Sequence, residues 1–170
     1  MMVARVVAAA GVIAAGAWLS VVVGGATSAS AGTLCQAVNG SSQQKVLGDS
    51  GCGARAGQGS TARAEDTSGE GTAVAVATSR GRADARTLDR KSTALAGAQR
   101  GGNAQSFATG PGAFSVAQAD RGGQSLAVGG WGGKAISTPR GTACAGGFAF
   151  AWESNSGKVC LSSGSIRYSN

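Results

Sequence analysis

A short phrase centred on arginine and glycine returns four times between Thr72 and Ala145 and constrains the fold more than any other feature. Its copies are Ser79-Arg80-Gly81-Arg82-Ala83, Gln99-Arg100-Gly101-Gly102-Asn103-Ala104, Asp120-Arg121-Gly122-Gly123-Gln124-Ser125 and Pro139-Arg140-Gly141-Thr142-Ala143. Arginine thus recurs about every 20 residues, and a repeat at a nearly fixed period indicates that the chain stacks one structural unit.

Alanine alternates with another residue in short bursts that lie between glycine-rich turns. Ala73-Val74-Ala75-Val76-Ala77 and Ala113-Phe114-Ser115-Val116-Ala117 are two of them. A period of two is that of a β-strand. The bursts recur about every ten residues, so two strands and two turns make one repeat. A helix is disfavoured, because each intervening glycine would cost about 1 kcal/mol in a helix interior.

The repeat predicts an all-β fold: a β-solenoid or β-roll of about four two-strand coils, closed by a C-terminal β-hairpin cap. An antiparallel β meander or sandwich of the same period is the alternative. Facing sheets stand about 10 Å apart, so we expect the bulky residues to point inward in about half of the bursts. These residues are Val74, Val76, Leu95, Phe114, Val116, Leu126, Val128 and Ile136. We expect alanine to point inward where its alternate is charged, as at Arg55, Arg63 and Asp84.

Residues 1–31 have the pattern of an export signal, with a basic start at Arg5, an apolar run over 6–23 and the small residues Ala29-Ser30-Ala31. We expect cleavage after Ala31. The apolar run is also long enough to span a bilayer, so a retained anchor is the alternative. After cleavage, the protein would be secreted or associated with the cell envelope. The predicted domains are the signal peptide (1–31), an N-terminal disulfide-closed cap (32–53), the Ala/Gly-rich β repeat region (54–143) and the C-terminal hairpin cap (144–170).

The four cysteines form two close pairs that bracket the repeat region. An even count in an exported chain indicates disulfides, and we favour Cys35 with Cys52 and Cys144 with Cys160 among the three possible connectivities. Each would contribute about 3 kcal/mol in the chain-entropy model. Free buried thiols and a zinc site are the alternatives. The absence of histidine and of a CxxC spacing disfavours zinc.

Two phrases within the repeat resemble the S-x-A-x-G phrase of the head repeats of trimeric autotransporter adhesins, which form a β-roll. They are Ser106-Phe107-Ala108-Thr109-Gly110 and Ser125-Leu126-Ala127-Val128-Gly129. As a whole, the chain is similar to small uncharacterised exported proteins of actinobacteria with Ala/Gly-rich repeats. The second resemblance implies a secreted or envelope-associated protein without a known activity.

The residues needed for catalysis are scarce. The chain has no histidine, so it lacks an imidazole base and any Ser-His-Asp arrangement. The acids stand singly beside arginines or in turns, and the repeat turns carry arginine where calcium-binding β-rolls need aspartate. We therefore expect no enzyme activity, no metal and no cofactor.

The charge balance favours an anionic partner. Fifteen Lys and Arg residues stand against eight acids, a formal net charge of +7. Acids interleave with the arginines and the chain is predicted to be exported, so we expect no nucleic-acid partner. If the coils stack in register, Arg80, Arg100, Arg121 and Arg140 would form a ladder with rungs about 4.8 Å apart. The ladder would bind an anionic cell-wall polymer or lipid head groups; the alternative is solvated arginines partly offset by Asp120.

A second hypothesis assigns carbohydrate binding to Trp131, which stands in a glycine-rich turn, together with Trp152. The alternative is that both tryptophans are packing residues, which the alternation of Trp152 with Phe148 and Phe150 favours for that residue. A secreted protein without a ligand, and self-association through exposed edge strands, are also left open.

Overall fold

The computed structural model describes residues 32–170, and the predicted signal peptide lies outside the described residues. The described chain consists of strands and turns. The fifteen strands are β1 (Thr33–Val38), β2 (Ser42–Leu47), β3 (Ser50–Ala56), β4 (Thr61–Asp66), β5 (Thr72–Ala77), β6 (Arg82–Thr87), β7 (Thr93–Ala98), β8 (Asn103–Ala108), β9 (Phe114–Ala119), β10 (Gln124–Gly130), β11 (Lys134–Thr138), β12 (Gly141–Ala145), β13 (Phe148–Glu153), β14 (Val159–Ser163) and β15 (Ile166–Ser169).

The strands form two facing sheets. Sheet A has the order β1-β4-β6-β8-β10-β13-β14-β15, and sheet B has the order β12-β11-β9-β7-β5-β3-β2. From β3 to β11 the chain alternates between the sheets, and each strand pairs in parallel with the strand two places later. One strand from each sheet makes one coil. The predicted β-solenoid of about four coils is confirmed.

Small residues fill the space between the sheets. In sheet B, Ala75, Ala96 and Ala117 stand in register on successive strands, and each is buried. The alternate residues Val74 and Leu95 point outward and are only partly buried. The same phase holds in the strands from β3 to β11, with alanine, serine, threonine, cysteine, glycine or an end acid inside. The expectation that valine, leucine and phenylalanine face inward in about half of the bursts is therefore wrong.

The physical reason is that the two sheets lie much closer than ordinary facing sheets, whose spacing is about 10 Å. The hydroxyls of Ser106 in β8 and Ser115 in β9 are 2.8 Å apart, although each side chain reaches only one carbon from the backbone. The Cα atoms of Cys35 in β1 and Cys52 in β3 are 5.7 Å apart across the same gap. A valine or phenylalanine inside would force the sheets apart, so the larger side chains lie outside.

The N-terminal cap reverses the direction of the chain. Strand β1 runs antiparallel to β4 in sheet A, and β2 runs antiparallel to β3 in sheet B. The Cys35–Cys52 disulfide links the two sheets here, as predicted. At the edge of β1, the Gln36 amide donates to the side chain of Gln43 at 2.7 Å, and the Val38 amide donates to Ser41 Oγ at 2.8 Å. These backbone groups are thus satisfied within the cap.

The C-terminal cap reverses the chain a second time. Strand β12 turns back on β11, and β13 lies antiparallel between β10 and β14. The predicted hairpin is therefore present, with the aromatics of Phe148, Phe150 and Trp152 on the outer face and alanines inside. The Cys144–Cys160 disulfide joins β12 to β14, which confirms the second predicted pairing.

Candidate functional site

Six of the twelve exposed Lys and Arg residues in the described chain lie along one long edge of the solenoid, in its turns or at the strand start that follows. This edge contains the turns that follow β3, β5, β7 and β9, together with the β11–β12 and β13–β14 turns. Asp120 and Pro139 line one recess there, Lys158 lies beside Gly141, and the Asn155 amide donates to the Asp120 carbonyl at 2.8 Å. We call it the basic edge, defined by Arg80, Arg82, Arg100, Arg121, Arg140 and Lys158.

The predicted arginine ladder is only partly formed. Arg100 and Arg121 occupy equivalent places, as the Gly122 amide donates to the Arg100 carbonyl at 3.0 Å. The sequence separation between Arg82 and its strand partner Asn103 is one residue longer than the separation between Arg80 and Arg100. Arg80 is therefore one position further along its turn than Arg100 is along the next turn. Arg140 lies in the β11–β12 hairpin. All four arginines share the edge, but only two share a register.

Asp120 offsets part of this charge. Arg100 Nε donates to Asp120 Oδ1 at 2.6 Å, a second guanidinium nitrogen of Arg100 donates to Oδ2, and Arg121 Nε lies 3.9 Å from Oδ2. The hydrogen bond from Arg100 lowers the pKa of Asp120, and the same bond raises the pKa of Arg100. The side chains of Arg100 and Arg121 nevertheless remain 57% and 77% exposed. Among the described residues, Asp120 is the single acidic side chain in the turns of this edge.

The backbone of the edge is strained at three of its five arginines. Arg80, Arg100 and Arg121 have φ values of 65°, 47° and 51°, in the left-handed region that costs L-residues about 1–2 kcal/mol. Arg80 occupies the place that glycine fills in neighbouring coils, at Gly59 and Gly101. Glycine would relieve the strain, so this arginine is held at an energetic cost. Strain of this kind is a reason to look for function.

The six cations were only partly expected. Arg80, Arg100, Arg121 and Arg140 were candidate ligand-binding residues from the repeat phrase. Arg82 belongs to the same phrase and joins them because β6 begins directly after the turn. Lys158 is brought to the edge by the C-terminal cap, and no local pattern in the sequence signals that.

Trp131 and Trp152 do not share a site. Trp131 lies in the β10–β11 turn at the opposite edge, is 72% exposed and packs edge-to-face on Phe148 at 6.5 Å between ring centroids. Trp152 lies on the outer face of sheet A, four residues from Phe148 along β13, which is about 13 Å. Trp131 therefore lies beside the Phe148 end of β13 and Trp152 near the other end of that strand, so a binding site contains one or the other.

Two ion pairs hold the charges on the outer face of sheet A. Arg63 pairs with Glu65 at 2.7 Å, and Arg86 Nε donates to Asp84 at 2.9 Å. The bond to Asp84 raises the pKa of Arg86, and the charges of Asp84 and Glu65 add to the effect. The Arg86 guanidinium also lies 6.0 Å from the ring centre of Phe107. This part of the face is thus charged but close to neutral overall.

The two buried acids are used by the fold itself. Asp66 accepts hydrogen bonds from the hydroxyls of Ser50, Ser68 and Thr87 at 2.6–2.8 Å. Burial raises the pKa of Asp66, but the hydrogen bonds to its carboxylate together outweigh this and hold the pKa below its usual value. At the other end of the stack, Glu153 accepts two backbone amides of the β13–β14 turn. Over residues 32–170, no group of three or more His, Cys, Asp or Glu is placed to hold a metal ion.

Residues 1–163 match the model of a family of unknown function, DUF6764. No curated protein and no solved structure is significantly similar to the chain. In the part of the chain that the structure describes, no helix is long and apolar enough to cross a membrane.

Proposed function

The chain belongs to the DUF6764 family of unknown function, and we propose that it is an exported module of the cell envelope that binds an anionic polymer along its basic edge. The observation that carries the proposal is the distribution of charge. Six cations lie on this edge, and Asp120 is the one acidic side chain in its turns among the described residues. A linear track of cations along the stack suits a linear polyanion, because each coil from β5 onward presents a further contact.

The opposite edge provides the comparison. Its turns and the strand starts that follow them carry Arg90, Lys91 and Lys134, but also Asp49, Glu70 and Asp89. The two edges therefore differ strongly in net charge although both are built from the same kind of turn. Arginine suits the proposed role because its planar guanidinium binds phosphate or carboxylate through two parallel hydrogen bonds.

Export is supported by the two disulfides, since disulfides persist in oxidising compartments. In our proposal, residues 1–31 direct export and are removed after Ala31. The protein acts by binding rather than by catalysis. The chain has no histidine, and the carboxylates of Asp66 and Glu153 are committed to structural hydrogen bonds.

Retention on immobilised linear inorganic polyphosphate tests the basic edge, because this probe carries charge but no sugar. We expect the combined variant Arg80→Gln, Arg121→Gln and Arg140→Gln to elute at markedly lower salt than the wild type. Fewer cations then contact the polyanion, and screening by salt removes the remaining attraction sooner. Arg100 is left in place because Asp120 already pairs with it.

The matched control is Arg90→Gln, Lys91→Gln and Lys134→Gln on the opposite edge, which changes the total charge by the same amount. It should elute close to the wild type. Asp120→Asn should elute at higher salt, since it removes the acid and keeps a side-chain oxygen for the Arg121 amide. Equal losses in the two triple variants would show that net charge alone is at work and would refute a site on this edge.

A further inference from the structure

A polar trough crosses the outer face of sheet A, next to the basic edge. One wall is a row of outward side chains in register on successive strands: Thr61, Arg82, Asn103 and Gln124. The other wall contains Gln36, Arg63, Asp84 and Gln105. The last three each stand two residues after a residue of the first wall on the same strand, and Gln36 lies directly opposite Arg63 on β1. Because the strands are parallel and in register, the walls run perpendicular to them.

The trough spans six strands as two adjoining recesses. One of about 390 Å³ extends from β1 to β8, and a second of about 120 Å³ extends from β8 to β13. Asn103 and Gln105 line both recesses and stand where the two meet. Five strand spacings of about 4.8 Å give a length of roughly 24 Å. At the far end, Trp152 closes the path beside Leu126.

The walls offer hydrogen bonds without a strong net charge. Within residues 32–170, the side-chain amides of Gln36, Asn103, Gln105 and Gln124 make no hydrogen bond to the protein. Each amide supplies both donors and an acceptor. Of the charged groups in the walls, Arg63 is paired with Glu65 and Asp84 with Arg86, which leaves Arg82 as the unbalanced charge.

This chemistry matches a hydroxyl-rich, uncharged chain. Sugar hydroxyls both donate and accept, as the amides do, and an extended pyranose chain advances by about one strand spacing per unit. The indole of Trp152 provides an apolar platform for the face of a sugar ring, and pockets commonly combine such a platform with a few placed polar groups. An anionic chain would instead favour the basic edge.

We propose that the trough binds a segment of a linear neutral polysaccharide, with hydroxyls hydrogen-bonded to the amides of Asn103 and Gln105 and one pyranose ring stacked on Trp152. The site shares Arg82 with the basic edge but otherwise uses different residues, and it does not depend on polyanion binding there. It also differs from a sugar site at Trp131, which lies at the opposite edge of the sheet.

Isothermal titration of the purified protein with cellohexaose, chitohexaose and maltohexaose tests the trough. We expect at least one of the three to bind, with an affinity that changes little between low and high salt. Trp152→Ala should weaken that binding about tenfold or more, and Asn103→Ala with Gln105→Ala should do the same, since each removes contacts worth about 1.4 kcal/mol. All three side chains point outward, so the small-residue core is untouched.

The controls separate this site from the others. Trp131→Ala and the pair Gln99→Ala and Gln118→Ala, outside the trough, should leave the affinity within about twofold, well under the tenfold step that about 1.4 kcal/mol represents. The basic-edge triple variant should still bind the oligosaccharide, and the trough variants should still bind polyphosphate. No binding of any of the three sugars, or a loss on Trp131→Ala with none on Trp152→Ala, would overturn the proposal.

Discussion

Ala75 lies in the middle of β5 with no exposed surface, and its methyl group faces the other sheet. In most β proteins such a position holds a large aliphatic residue, because facing sheets leave about 10 Å to fill. Here the space is only large enough for a methyl or a hydroxymethyl group. The volume of the inward residue is therefore more tightly restricted than its hydrophobicity, which explains why Ser106 and Ser115 are accepted among the alanines.

Ala75→Val should consequently destabilise the protein by about 1–3 kcal/mol, the usual cost of forcing extra methyl groups into a packed core. The measurement is the free energy of unfolding in urea. Gly97→Val is the matched control on the outer face of the same sheet, where an added Cβ comes no closer than 3.8 Å to Gln118. That variant should be neutral or stabilising, because β-branched residues favour strands. If both variants behaved alike, the close approach of the sheets would be refuted.

Asp66 should make the stability depend on pH in the acid range. Its pKa is lower in the folded protein than in the unfolded chain, so its contribution is complete above the unfolded value of about 4. The contribution is lost as the pH falls through the lower, folded value. We expect the Tm of the wild type to fall on acidification below about pH 4, and the fall to be smaller in Asp66→Asn. Asp49→Asn, at an exposed position, should keep the wild-type profile.

At the scale of elements, the two caps differ from the coils because they must end the stack. Each cap reverses the chain and carries one disulfide between the sheets. The coils hold together through backbone pairing on both sides, whereas the outermost strands have a neighbour on one side. A covalent link is therefore placed near each end of the stack, where the outermost strands have a backbone neighbour on one side only.

Replacing Cys35 and Cys52 together by alanine should lower the free energy of unfolding by about 3 kcal/mol, the chain-entropy value for a loop of this length. The disulfide closes a loop with a sequence separation of 17. Alanine is a suitable replacement because Ala73 occupies the place equivalent to Cys52 on the next coil. The check is urea unfolding without reductant, with the wild type in reductant as a second comparison. An unchanged midpoint would contradict the role given to the cap.

The positions of the strands could be predicted from the sequence to a large extent. Alternation and glycine turns located the bursts around Ala75 and Ala117, and the hairpin from Phe148 onward was also foreseen. The reversal of direction in the N-terminal cap was not, since a turn such as Asn39-Gly40 is compatible with several pairings. Which sheet a strand joins depends on distant partners rather than on its own residues.

At the scale of the molecule, the coil number was predictable but the inward face was not. Alternation distinguishes two faces without telling which is inside, and the usual rule places Val74 and Leu95 there. The correct signal is that alanine keeps a constant phase while the other face varies from Val74 to Arg55. In so thin a stack, the inward positions are recognised by side chains of constant small volume from strand to strand, and not by their apolar character.

The candidate sites follow from the same register. The arginine phrase returns at nearly even intervals, which suggests an even ladder. Those intervals are not all equal to the coil repeat that pairs Arg82 with Asn103, so the arginines do not all share a register. The trough has the opposite property. Its walls recur at that coil repeat, but neighbouring positions along each wall differ in residue type. Only alignment of the chain in rows of one coil brings them together.

Because the caps end the stack and the coils between them pair in the same way, the number of coils in such a protein could change. A whole coil inserted between β5 and β9 would meet the same register above and below, and neither cap would need to change. Each insertion would extend both the basic edge and the trough by about 4.8 Å. Duplication of one coil would therefore lengthen both proposed binding surfaces together, so reach along a polymer could evolve in single steps.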